Sequence, residues 1–289
     1  MILKKQSSIT DYKFKKGNLN FAVVGHVEWM NFLKVDQLPK PGVISHSEKS
    51  IEYPAGGGSV IAKTLSELTN NQVHFFTSLG NDYYGEQSFK ILSNYGIRLH
   101  VAWRDKPTRK GFSLIDSNGE RSITVIGERL SPTYKDKLDW NLFEKMDGIF
   151  ITASDSEIFK KARIADSLCT TPRVGINIIN KSNVVLDGLI GSNLDPGEVF
   201  SLSDISIKPK LIIKTEGENG GILYPGGRYE ALINAKQKID SYGCGDAFAA
   251  GILYGLSSKW SIDKILSLAK LLGRDASECF GPYKINEIN

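Results

Sequence analysis

Two hydrophobic periods divide this chain. Phe21-Ala22-Val23-Val24-Gly25 is a short unbroken apolar run, the mark of a strand covered on both faces. Similar runs at 73–77, 148–152, 174–178 and 211–215 predict four further buried strands. Helical patterning predicts helices over 59–68, 83–95, near 155–168 and 182–190, and two closing helices at 246–257 and 261–279. The second has apolar positions at 89, 92 and 95, a cap in Asn81-Asp82 and a stop at Gly96. Strands and helices in alternation predict an α/β fold, a mostly parallel sheet with helices on both faces.

Two β-only segments break that rhythm. Segments 27–35 and 43–53 are separated by Pro39-Lys40-Pro41-Gly42, and 97–103, 111–115 and 122–126 contain a turn at Ser117-Asn118-Gly119. Their partial alternation suits strands exposed on one side. We expect them to join, over about 27–53 and 97–127, as a small β lid above the carboxyl ends of the core strands. A hairpin is expected over 221–224 and 228–233. With no repeat or flexible linker, 1–289 reads as one domain with a discontinuous lid.

Composition narrows the function. The 289 residues are 41% apolar, enough for a substantial core, and Lys plus Arg exceed Asp plus Glu only by 36 to 32. The clustered Lys4, Lys5, Lys13, Lys15 and Lys16 fit a solvated terminal lead-in (1–19) better than a nucleic-acid site. The chain has no apolar run of about 18 residues for a membrane span. The N-terminus also lacks a signal-peptide core. Cys169, Cys244 and Cys279 lack metal-ligand spacing and favour a reducing cytoplasm, and the four histidines are scattered.

Candidate chemistry lies in the glycine-rich turns. Gly57-Gly58-Ser59-Val60-Ile61-Ala62-Lys63-Thr64 nearly spells a P-loop, but Ala62 stands where the second glycine is required. No G-x-G-x-x-G follows the first strand, which speaks against a dinucleotide site. Asp240-Ser241-Tyr242-Gly243-Cys244-Gly245-Asp246 runs directly into a small-residue helix. Its unpaired first-turn amides form an anion site, and Asp246 is either a plain cap or a partner to that anion. Thr215-Glu216-Gly217-Glu218-Asn219-Gly220-Gly221 closes an apolar strand, where α/β proteins bind ligands, and a simple hairpin turn is its other reading.

The segment from Asp240 to Gly251 resembles the D-T-x-G-A-G-D-x-F-x-x-G signature of the ribokinase-like, PfkB carbohydrate kinase family. The likeness extends over nearly the whole chain. Gly80-Asn81-Asp82-Tyr83-Tyr84-Gly85 resembles the family's G-x-D-x-x-G turn, Pro107-Thr108 and Gly119–Ser122 its lid strands, and Thr215–Gly220 its T-x-G-x-x-G nucleotide loop. The resemblance implies an αβα sandwich with a β lid and ATP-dependent phosphorylation of a sugar or sugar-like molecule. It makes Asp246 the base and the amides of Gly243, Cys244 and Gly245 the anion hole. Its helix-end position is expected to keep Asp246 ionised. Thr215, Gly217 and Gly220 would then bind ATP. Asp195 and Glu198, in Asp195-Pro196-Gly197-Glu198, correspond to an N-x-x-E motif that helps place Mg²⁺. Many relatives also hold a monovalent cation near the 240 loop, and an exposed lid could pair two copies as a homodimer.

Three positions depart from the family pattern. Met30 stands where an Asp reads substrate hydroxyls, so either Glu28 or Asn31 substitutes or the substrate presents something else there. Gly57 and Gly58 are in place as substrate-side residues, but Val60 and Ile61 occupy the region of an expected Asn. Cys244 replaces the usual Ala, and a thiolate favoured by the helix terminus would be sensitive to oxidation. The altered pocket keeps two further readings open. One is a nucleoside kinase, if the lid is aromatic around Trp29, Phe32 and Trp103; the other is a catalytically silent binding or regulatory relative.

Overall fold

The structure is a computed structural model, and the residues described are 15–232 and 237–285. Lys4, Lys5 and Lys13, most of the 1–19 lead-in, and Ile233 at the end of the expected hairpin lie outside them. In chain order, the first elements are β1 (Phe21–Val24), β2 (Glu28–Lys34), β3 (Lys49–Ala55), α1 (Gly57–Leu68), β4 (Val73–Gly80), α2 (Tyr83–Ser93) and β5 (Ile97–Arg104). Then come β6 (Lys110–Ile115), β7 (Arg121–Ile126), β8 (Gly148–Ile151), α3 (Ser156–Ala162), β9 (Ser167–Thr170), α4 (Ile176–Ser182) and β10 (Gly188–Ser192). β11 (Leu211–Thr215), β12 (Gly221–Tyr224), β13 (Gly227–Tyr229), α5 (Cys244–Ser257) and α6 (Ile262–Ser277) complete the order.

β1 shows why the sheet is central. Phe21 and Val23 pack with Phe75, Val60, Leu65 and Leu253, while Ala22 and Val24 pack with Phe76, Ile149, Ile151 and Phe159 on the other face. Successive strand side chains point to opposite faces, so an unbroken apolar run supplies both cores at once. The large sheet runs β13-β12-β11-β10-β9-β8-β1-β4-β5. The strands from β11 through β5 are parallel, and β12 and β13 turn back antiparallel at one edge. α1, α5 and α6 contribute to one core, α3 and α4 to the other. A separate sheet runs β3-β2-β6-β7. The whole is an αβα sandwich of the ribokinase-like kind with a small second sheet.

The structure corrects five expectations. Segment 97–103, assigned to the lid, is β5 and pairs in parallel with β4 at the edge of the large sheet. β4 leaves an open ladder edge there, which outweighs the one-sided patterning of Ile97–Arg104. Segment 174–178 is no strand: Gly175, at φ 106°, opens the short helix α4. The buried strand of that layer is β9, which overlaps only the end of the expected helix 155–168, and β10 overlaps the expected helix 182–190. β3 begins only at Lys49, so 43–48 is not strand.

Candidate active site

Gly243, at φ 76°, caps α5 in the left-handed region where a Cβ is penalised, and Ala247 N donates to its carbonyl at 2.8 Å. The amides of Cys244, Gly245 and Asp246 in the first turn have no intrahelical acceptor. Gly245 is exposed, with open space where a Cβ would point. The turn is anchored from below. Asp240 is fully buried and accepts from Tyr242 N at 2.8 Å and Gly281 N at 3.2 Å. The Tyr242 hydroxyl accepts from Gly56 N at 3.0 Å, tying this turn to the residue that caps α1. At Gly57 a Cβ would come within 2.8 Å of Asp246 Oδ1. The starts of α1 and α5 therefore meet at one carboxylate.

That carboxylate is not held ionised. Burial, then the negative charge of Glu198, push Asp246 up to about 7, against the opposing pull of Arg173 and Arg121. Burial outweighs the helix-end effect expected from the sequence. The neighbouring thiol departs in the same sense. Burial pushes Cys244 up to about 12, so it stays a thiol and the expected thiolate does not form.

The loop after β11 is closed by Glu216 N donating to Gly220 O at 2.7 Å, around a single tight turn at Gly217–Asn219. Thr215 Oγ1 donates to Gly191 O at 3.4 Å, and Glu216 accepts from Asn193 Nδ2 at 3.0 Å and from Arg228 at 2.6 Å. Beyond β10, Glu198 accepts from Ser192 N at 2.8 Å and pairs with Arg173 Nε at 3.0 Å; Arg173 also pairs with Asp195. Asp195 and Glu198 therefore sit together, and the Glu198 charge reaches Asp246. Among the described residues no three His, Cys, Asp or Glu side chains form a metal cage. Two hard carboxylates of this kind suit a Mg²⁺ that keeps its waters and takes phosphate oxygens.

On the other side, Glu28 is buried at the start of β2, 3.2 Å from Arg109 Nη1 and 3.5 Å from His26 Nε2. Burial and the charges of Arg129, Arg109 and Arg173 hold His26 well below the usual imidazole range, so its contact with Glu28 is not an ion pair. Asn31 is not brought to this group. It lies an odd number of residues from Glu28 on β2, so the pleat turns it to the opposite face, beside Glu52 and Phe112 on the flanking strands. Gly58 approaches Phe75 rather than Asp246, and Met30, Val60 and Ile61 are core residues. Lys63, of the near-P-loop, pairs with Glu67 and lies 4.9 Å over the Tyr95 ring, away from any phosphate role.

Sequence reasoning missed His26, Arg109, Arg129, Arg173 and Tyr242. Arg121 Nη1 donates to Ser241 Oγ at 2.5 Å, and its guanidinium lies 5.7 Å over the Tyr242 ring. These residues come from separate strands and loops, and no local spacing links them. Only Arg121 and Tyr242, inside the family-like motifs, and Arg109, directly after Pro107-Thr108, carried a signal.

The helix start with its carboxylate and the loops after β10 and β11 lie toward the carboxyl ends of the parallel strands, where α/β proteins bind ligands. The chain belongs to the pfkB family carbohydrate kinases, whose family model matches residues 18–182 and 200–288. It is a kinase. It is 20% identical over 249 residues to a nucleoside kinase of Methanothermobacter thermautotrophicus, covering 80% of each chain. It is 23% identical over 272 residues to an ATP-dependent ribose-1-phosphate kinase of Halopiger xanaduensis, covering 86% of this chain and 88% of that one. The crystal structure of adenosine kinase from Sinorhizobium meliloti matches with a TM-score of 0.74 at 16% identity, over 93% of this chain and 97% of that one.

Proposed function

We propose that the protein transfers the γ-phosphoryl group of ATP to a hydroxyl of a sugar-like small molecule, with Asp246 as general base. The supporting observation is the convergence of the α5 first turn, Asp246 and the α1 start. As the substrate oxygen bonds to the γ-phosphorus, its proton passes to an Asp246 oxygen and the bond to the β-phosphate oxygen breaks, releasing ADP. The Gly243–Gly245 turn, whose first-turn amides lack acceptors, faces the charge that develops on the transferring group. Thr215, Gly217 and Gly220 border the nucleotide. Asp195 and Glu198 would hold Mg²⁺, which would supply neutralisation of phosphate charge. Glu28 and Gly57 border the substrate, beneath a lid formed by β3-β2-β6-β7.

The relatives named above differ in their acceptors, which leaves the sugar-like class as the shared reading. A nucleoside acceptor fits those relatives as well, although Trp29, Phe32 and Trp103 do not gather into one wall. Trp29 lies on the opposite face of β2 from Phe32, and Trp103 is on β5, packed 6.2 Å from Phe89. Retention of Asp246 and its glycines favours activity over a silent relative. No helix is long and apolar enough to cross a membrane among the described residues. All three cysteines are free, in keeping with a reducing cytoplasmic setting, and the exposed Phe112, Ile123 and Val125 on β6 and β7 suit pairing of two lids in a homodimer.

The test is Asp246→Asn. We expect turnover to fall by about 10²- to 10⁴-fold, the range for loss of a positioned base. ATP affinity, read by calorimetry, should be unchanged. A variant as active as the parent sinks the assignment.

A further inference from the structure

We propose that the substrate carries an anionic group, a phosphate monoester or a carboxylate, and that Arg109 and Arg129 bind it. This rests on the kinase reading and names the class of its acceptor.

Both guanidinium groups are incompletely used. Arg109 Nε and Arg129 Nε are buried and have no hydrogen-bond partner among the described residues. A guanidinium carries five N–H donors and cannot shed its charge, so an unmet buried donor on it is costly. Arg109 commits one nitrogen to Glu28 at 3.2 Å, to an oxygen that also faces His26. Arg129 donates to Arg173 O at 3.4 Å, and among the described residues no carboxylate pairs with it. Burial, together with the charges of Arg109 and Arg173, already weighs against its ionised form, while Glu28 supports it. Two like charges gathered in a largely buried place, with forked donors left over, form a receptor for an anion with paired oxygens.

Location separates this receptor from the nucleotide. Arg173 is occupied by Asp195 and Glu198 on the metal side. Arg109 precedes β6 and sits against Glu28 at the base of the second sheet, the substrate side. Arg129 lies between them, within electrostatic reach of Glu28, Arg109 and Arg173. Met30, Val60 and Ile61 are buried in the apolar core and offer no polar contact there. A site that collects forked guanidinium donors selects for charge.

Two measurements test this on the full chain. First, the protein is saturated with a non-hydrolysable ATP analogue and Mg²⁺, then titrated calorimetrically with inorganic phosphate and, separately, with acetate. We expect one of them to bind, phosphate marking a monoester and acetate a carboxylate. Arg129→Gln and Arg109→Gln should weaken it by at least about tenfold while analogue affinity stays within about twofold, as for loss of a charge-assisted hydrogen bond. Arg129→Lys should recover part of the loss, and thermal midpoints report whether each variant folds. If neither anion binds the loaded protein, if folded variants bind like the parent, or if they lose the analogue instead, the proposal is overturned. Second, ATP consumption is compared for D-ribose and adenosine against D-ribose 5-phosphate and D-gluconate. Preference for an anionic member supports the proposal; faster turnover of a neutral one overturns it and leaves the kinase reading standing. The kinase reading itself fails only if Asp246→Asn turns over like the parent.

Discussion

Burial and Glu198 hold Asp246 protonated until about pH 7. A protonated carboxyl cannot accept the hydroxyl proton, so kcat/KM should climb as pH rises through about 7 and then level off. Glu198→Gln removes a negative neighbour and should move that limb to lower pH, which a pH–rate profile reads directly. The same shift has a stability consequence of defined sign. The folded pKa lies above that of an unfolded Asp, so the native state binds the extra proton and loses stability as pH rises towards 7. Asp246→Asn should therefore melt higher than the parent at pH 8, with the gap shrinking at acid pH; equal melting temperatures at pH 8 contradict the shift. Gly57 offers a second residue-scale test. The Cβ of Gly57→Ala would meet Asp246 Oδ1 at 2.8 Å. Turnover should fall by about 10- to 100-fold through misplacement of the carboxylate, with the melting temperature little changed. Asp246 and Gly57 were both visible in the sequence as separate motifs. Their contact was not, because most of the chain lies between them and only the fold joins them.

Asp82 works across elements. Its carboxylate caps α2 by accepting from Gly85 N at 2.8 Å, and also accepts from Thr108 N and Oγ1, both at 2.7 Å. Burial works against the charge, but these bonds win and hold the carboxyl below its ordinary range. Asp82→Ala should cost about 1–3 kcal/mol in urea unfolding, a lost cap plus unmet donors. Because Thr108 leads directly into Arg109, substrate KM should rise more than kcat falls. The cap was legible from the sequence spacing alone; the tie to Thr108 was not. Elements were read best where pattern and boundary residue agreed, as in β1, α2 with its Gly96 stop, and α5. Val174-Gly175-Ile176-Asn177-Ile178 misled because a short apolar run fits a strand or a helix turn equally well. Leu189 and Ile190 were absorbed into an expected helix for the same reason.

At the scale of the molecule, the parallel α/β plan was legible because four of the five short apolar runs are strands covered on both faces, β1, β4, β8 and β11. The assignment of β5 was not, since pairing with β4 depends on which ladder edge stands open. The proposed base and anion hole were legible because they are local, contained within a dozen residues at the start of α5. The proposed recognition chemistry was not, because Glu28, Arg109 and Arg129 are assembled from the second sheet and the chain that leaves it. Those two sets share no element: Asp246 and its amides belong to a helix buried against the large sheet, and the recognition residues hang from another piece of the architecture. On the proposed roles, substitutions around 28, 109 and 129 would exchange what is phosphorylated while leaving the transfer step at α5 unaltered.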